Sequence, residues 1–149
     1  MEIMTAKERA KQDRALLSLL KKWQVIEGKT IESCETILKK SRNPIIKTLS
    51  RAIKNDSEKH KSILQLVIDG MTKTGYVLSP DDLADVASLL GKHIALEQKS
   101  IDVANQAIGI SRDTITTQML KLILEDEKKH KKMAQQMNDL KFAITGKIT

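Results

Sequence analysis

Two glutamates and two histidines recur at matching positions in this 149-residue chain, and all four interrupt apolar patterns. Glu27 lies four residues after Trp23 and seven before Cys34; Glu97 lies seven after Leu90, four after His93 and four before Ile101. His60 falls in the run Leu49, Ile53, Asp56, His60, Ile63, Val67. His130 falls in the run Ile115, Met119, Leu122 or Ile123, Asp126, His130, Met133, Met137, Leu140. Spacings of three and four place each run on one helix face. Burying an ionised carboxylate without a partner is costly. Two arrangements remove that cost: a hydrogen-bonded polar cluster, or a metal site. Residues three apart on a helix project about a turn apart from one face, so Glu127 and His130 are placed to chelate one ion or to bridge to its neighbour. Carboxylate and imidazole together suit Fe(II), Mn(II) or Zn(II).

The recurrence is an internal repeat of 70 residues. Leu19–Glu27 lies over Leu89–Glu97, and the match continues through Lys29/Lys99 and Ile31/Ile101, with seven identities in the twenty residues 16–35. The same shift lays Ile53, Asp56, Lys59, His60 and Lys61 over Ile123, Asp126, Lys129, His130 and Lys131. One gapless shift serves both segments, polar positions included, and points to a duplicated helical hairpin.

Four helices must position these residues. Asn43-Pro44 and Ser79-Pro80-Asp81-Asp82 read as helix starts, with acids in the first turn favouring the helix dipole. Ser111 with Asp113 reads as a third start, and Gly70 and Gly109 as stops. The segments are roughly 10–40, 44–69, 80–108 and 112–143, all amphipathic, which predicts a four-helix bundle in a single domain over 1–149. Hairpin one spans about 10–69 and hairpin two about 80–143. Helices ~40 Å long and a ten-residue Gly70–Ser79 link reaching ~35 Å leave the order of connection open.

Asp126-Glu127-Lys128-Lys129-His130 resembles the Asp-Glu-x-x-His motif of the ferritin-like di-metal carboxylate proteins, a superfamily that includes ferritins, rubrerythrins and di-iron oxidases. Its pattern is one Glu on each of helices one and three and a Glu-x-x-His on each of helices two and four. The order here is Glu27, Asp56–His60, Glu97, Glu127–His130. The resemblance implies an all-α ferritin-like bundle holding iron or manganese, one or two ions per chain. It implies oxidation by O2 or peroxide, or iron handling, as a ferroxidase- or peroxidase-like oxidoreductase. Glu27 and Glu97 would be terminal ligands, Glu127 a bridging ligand, and His60 and His130 one imidazole per ion. Asp126 would orient a histidine, and His93, one turn before Glu97, would support or pack. No catalytic residue is singled out. Such units commonly form homo-oligomers, dimers or larger. Rubrerythrins often carry a four-cysteine rubredoxin-like domain; this chain has one cysteine, so electrons would come from a separate donor or from Fe(II) itself.

The pattern departs at Ser57, which stands where the repeat places Glu127. Glu58 is about 100° further around the helix and should face solvent. Asp56 can substitute, with a shorter reach. The site therefore holds one metal, two unlike metals, or none.

Composition narrows the alternatives. Aromatics are 2% of the chain, which disfavours an all-β fold. One cysteine, Cys34, excludes an intramolecular disulfide framework and a four-cysteine zinc or iron–sulfur site, and reads as a small core residue. Met119, Met133 and Met137 read as core packing, Tyr76 carries no assigned role, and residues 144–149 read as a frayed end. No run approaches the ~20 apolar residues of a membrane span. The first residues lack a signal-peptide pattern, which predicts a cytoplasmic location. The net charge is +7, from 26 Lys+Arg against 19 Asp+Glu. Spread lysines read as solvated helix faces, and nucleic acid is the less favoured partner, because stacking aromatics are scarce. Two further functions stay open: a metal-free basic helical-bundle protein that binds a protein or nucleic-acid partner, and a non-catalytic metal protein for storage or sensing.

Overall fold

A computed structural model of the chain describes residues 3–73, 75 and 77–145. Tyr76 and residues 146–149 of the expected frayed end lie outside the described residues. The fold is all-α, with four helices and no strand among the described residues. The helices are α1 (Ala6–Lys40), α2 (Pro44–Thr72), α3 (Pro80–Ile110) and α4 (Thr114–Thr145). α1 packs against α2 and α3 against α4, as a duplicated hairpin requires. The chain divides into two compact units, Met1–Tyr76 and Val77–Thr149, one hairpin in each.

Local chemistry explains the boundaries. Thr5 and Glu8 form a capping box at the start of α1, and Ser79 and Asp82 form one at the start of α3. The Asn43 side chain accepts from Ile45 and Ile46 N–H, with Pro44 at the first helical position. Three expectations are corrected. Gly70 and Gly109 lie inside α2 and α3, which run on to Thr72 and Ile110. No described glycine has the positive φ of a glycine-terminated helix; extended Ser41 and Ser111 end α1 and α3, and Lys73 closes α2. The start of α4 is capped by Asp113, whose carboxylate accepts from Thr116 N–H at 2.7 Å, while Ser111 closes α3.

Each hairpin is antiparallel: in the first, Glu27 meets His60 whereas the later Glu35 meets the earlier Lys54, and in the second a three-residue turn at 111–113 returns α4 along α3. Its seam follows a three–four repeat. In α1 the less exposed residues include Leu20, Gln24, Glu27, Ile31, Cys34 and Leu38; in α3 they include Leu90, Ile94, Glu97, Ile101, Ala104 and Ile108. These sets are 70 residues apart, so the repeat preserves burial as well as identity. On α2 and α4 the shift pairs buried Ser50, Ser57 and Leu64 with half-buried Leu120 and Glu127 and buried Ala134.

The runs expected to be buried on helices two and four are not these seams. Leu49, Val67 and Met119 are half-buried, but Ile53, Asp56, His60, Ile63, Ile115, Leu122, Ile123, Asp126, His130, Met133, Met137 and Leu140 are exposed within their hairpins. The physical reason is that two packed helices bury one narrow stripe each, and the residues beside it stay open. Leu20, Leu64 and Ile68 form the core of hairpin one, flanked by Leu17, Val67 and Met71. Cys34 is buried, as expected. No described helix is long and apolar enough to cross a membrane.

Candidate metal centre

The repeat sets two polar stations, one midway along each hairpin seam. In hairpin two, α3 contributes Glu97 and α4 contributes Glu127 and His130. One ligand atom from each of these three lies within 4.8 Å of the others. His130 Nδ1 is 3.8 Å from Glu97 Oε1 and 3.9 Å from Glu127 Oε1. His93, one turn before Glu97 on α3, places Nε2 2.9 Å from Glu97 Oε1.

Glu97 is 7% exposed. Its Oε2 is buried with no hydrogen-bond partner among the described residues. Two carboxylates face each other here. Both are acceptors when ionised, and only a shared proton or a cation can join them. The Glu127 carboxyl and burial hold the Glu97 pKa above the ordinary carboxylate value, against the opposing pull of His130 and His93. The donor set is two carboxylates and one imidazole, with a second imidazole behind Glu97, and it suits a divalent cation of intermediate hardness.

Hairpin one carries the same positions with different chemistry. Glu27 Oε1 accepts from the Trp23 indole N–H at 3.1 Å and lies 3.3 Å from His60 Nδ1. The Ser57 hydroxyl stabilises the same carboxylate and is the largest cause of a Glu27 pKa below the ordinary value, with Trp23 and His60 adding to it and burial opposing it. Glu27 and Glu97 are thus repeat mates with opposite shifts.

The remaining expected residues lie at the edge of these stations. Asp56 pairs with Lys59 at 2.9 Å, and Asp126 with Lys129 at 3.8 Å, both on exposed faces. Glu58 is exposed and pairs with Lys54 at 3.9 Å, as expected from its angle on the helix. His60 and His130 are about half exposed at the rims of their seams, although the apolar runs placed them inside. Sequence reasoning assigned Trp23 no part in the polar station. Its repeat relation to His93 was the available signal: both reach the glutamate one turn on, one as an indole donor and the other as an imidazole.

No family model matches the chain, and no curated protein or solved structure matches it either. The four-helix all-α architecture and the Glu/His cluster fit a ferritin-like fold.

Proposed function

We propose that this protein is a metal-binding helical protein of ferritin-like kind, with Glu97, Glu127 and His130 as ligands of a divalent iron or manganese ion. The observation that carries the reading is the buried, unpartnered Glu97 Oε2 beside a second carboxylate. A cation supplies what that pair lacks. His93 positions Glu97 by engaging Oε1, leaving Oε2 for the ion. When bound, such an ion supplies one-electron chemistry with O2 or peroxide, or a station for Fe(II). The reading extends to oxidation or iron handling in the cytoplasm, to a homo-oligomer, and to a separate electron donor where turnover needs one.

The test is metal content per chain by elemental analysis, after growth in iron- and manganese-supplemented cells and purification without chelator or histidine tag. Stoichiometric iron or manganese, lost in Glu97→Ala and His130→Ala, supports the site. Metal far below stoichiometry that anaerobic Fe(II) loading does not restore refutes it. The +7 charge then favours the basic interaction protein, read out as salt-dependent retention on nucleic acid.

A further inference from the structure

The ferritin-like pattern asks for metal ligands from both hairpins, and hairpin one does not fit that demand. We infer that Trp23 and Ser57 are hydrogen-bond substitutes for a cation, which confine metal binding to hairpin two and leave hairpin one a permanently metal-free twin. The inference rests on the metal reading of Glu97, Glu127 and His130.

Three observations carry it. The first is the occupancy of Glu27. Its Oε1 already receives the Trp23 indole N–H at 3.1 Å and lies 3.3 Å from His60 Nδ1. An indole nitrogen is a donor only and cannot turn to face a cation. An ion at that oxygen would have to displace the indole and gain no ligand in return.

The second is charge. Around Glu27 the repeat leaves one carboxylate, one imidazole, a neutral hydroxyl and an indole. Around Glu97 it leaves two carboxylates and two imidazoles. A divalent ion is neutralised by hairpin two and left with an excess positive charge by hairpin one. The third is satisfaction. Glu97 Oε2 is buried and unpartnered, whereas Glu27 accepts from the Trp23 indole and is stabilised by the Ser57 hydroxyl. The same backbone station thus has two answers to a carboxylate on the seam: a cation where Glu127 and His93 stand, and neutral donors where Ser57 and Trp23 stand.

The experiment uses the full-length chain and Mn(II), with bound metal counted by the loss of the free-ion paramagnetic resonance signal. Wild type takes up one ion per chain. Glu27→Gln and His60→Ala retain it, and Glu97→Gln loses it. Trp23→His combined with Ser57→Glu rebuilds the hairpin-two set in hairpin one and takes up two. A wild-type count of two, loss of Mn(II) in Glu27→Gln or His60→Ala, or a count of one in the folded double variant overturns the inference while leaving the hairpin-two site standing. Retention of Mn(II) by Glu97→Gln overturns the underlying metal reading instead. Circular dichroism checks that the double variant is folded, and the Glu27→Gln arm decides the question if it is not.

Discussion

Glu97→Gln should stabilise the metal-free protein and destabilise the metal-loaded one. Glu97 Oε1 faces His93 Nε2 at 2.9 Å, Oε2 is buried without a hydrogen-bond partner, and the Glu127 carboxyl adjoins the Glu97 carboxyl. Glutamine keeps the shape. Its carbonyl oxygen accepts from His93, and its amide nitrogen, placed where Oε2 was, donates to the Glu127 carboxylate. A hydrogen bond to a charged group contributes about 1.5–3 kcal/mol. Neutralising Glu97 weakens its pairing with the half-exposed His93, a loss of about 0.5 kcal/mol at such a position. The net gain is about 1–2.5 kcal/mol, which raises Tm by roughly 4–20 °C for units of this size. With metal at a hundredfold excess over Kd, the wild type gains about 2.7 kcal/mol that the variant does not. The order of melting should therefore reverse between chelator and saturating Mn(II), read by circular dichroism at 222 nm. A Glu97→Gln variant that melts below wild type in chelator would refute the reasoning, because the station would then be a satisfied polar cluster.

The two stations should respond oppositely to pH. Glu97 has a raised pKa, so its contribution to apo stability is present below the ordinary carboxylate value and is lost as pH rises through the folded-state value. Glu27 has a lowered pKa, so its contribution is present above the ordinary value and is lost as pH falls through the folded-state value. Tm differences from wild type should accordingly shrink towards acid for both Glu97→Gln (a gain) and Glu27→Gln (a loss), in apo protein melted across the pH range. Leu64→Ala, in the Leu20–Ile68 cluster, should cost about 2–5 kcal/mol in chemical denaturation with Mn(II) stoichiometry unchanged in the folded fraction. Cys34→Ala should leave metal uptake unaltered and cost about 1 kcal/mol, since the thiol is buried in the seam and touches neither polar station.

The starts of α2 and α3 were legible because their signals are local: Asn43-Pro44 and Ser79-Pro80 fix capping geometry within four residues. Gly70 and Gly109 misled because a glycine ends a helix only where the backbone turns left-handed, and here Lys73 closes α2 and extended Ser111 closes α3 without such a turn. The Glu97, Glu127 and His130 grouping followed from the repeat and the three-residue spacing. The burial of helices two and four did not follow from apolar content. Lys54 and Ser57 lie on or near the seam while Ile53 and Ile63 are exposed, because the packing face is set by register against the neighbouring helix. The role of Trp23 was hidden for a related reason: a tryptophan in an apolar pattern reads as core, and its indole N–H matters only once a carboxylate is placed beneath it.

The three-residue turns at 41–43 and 111–113 have a kinetic consequence. Within each hairpin the helices meet first beside a tight connection, where loop closure costs least, and pairing extends outward residue by residue. Such local topology belongs to the microsecond-to-millisecond class of folding. Glu27–Ser57 and Glu97–Glu127 sit more than a dozen residues from their turns on both helices of each hairpin. They close midway through that zipping. A cation that joins Glu97 to Glu127 should therefore slow unfolding more than it hastens folding, acting as a latch on the outer half of one hairpin while its twin closes on hydrogen bonds alone.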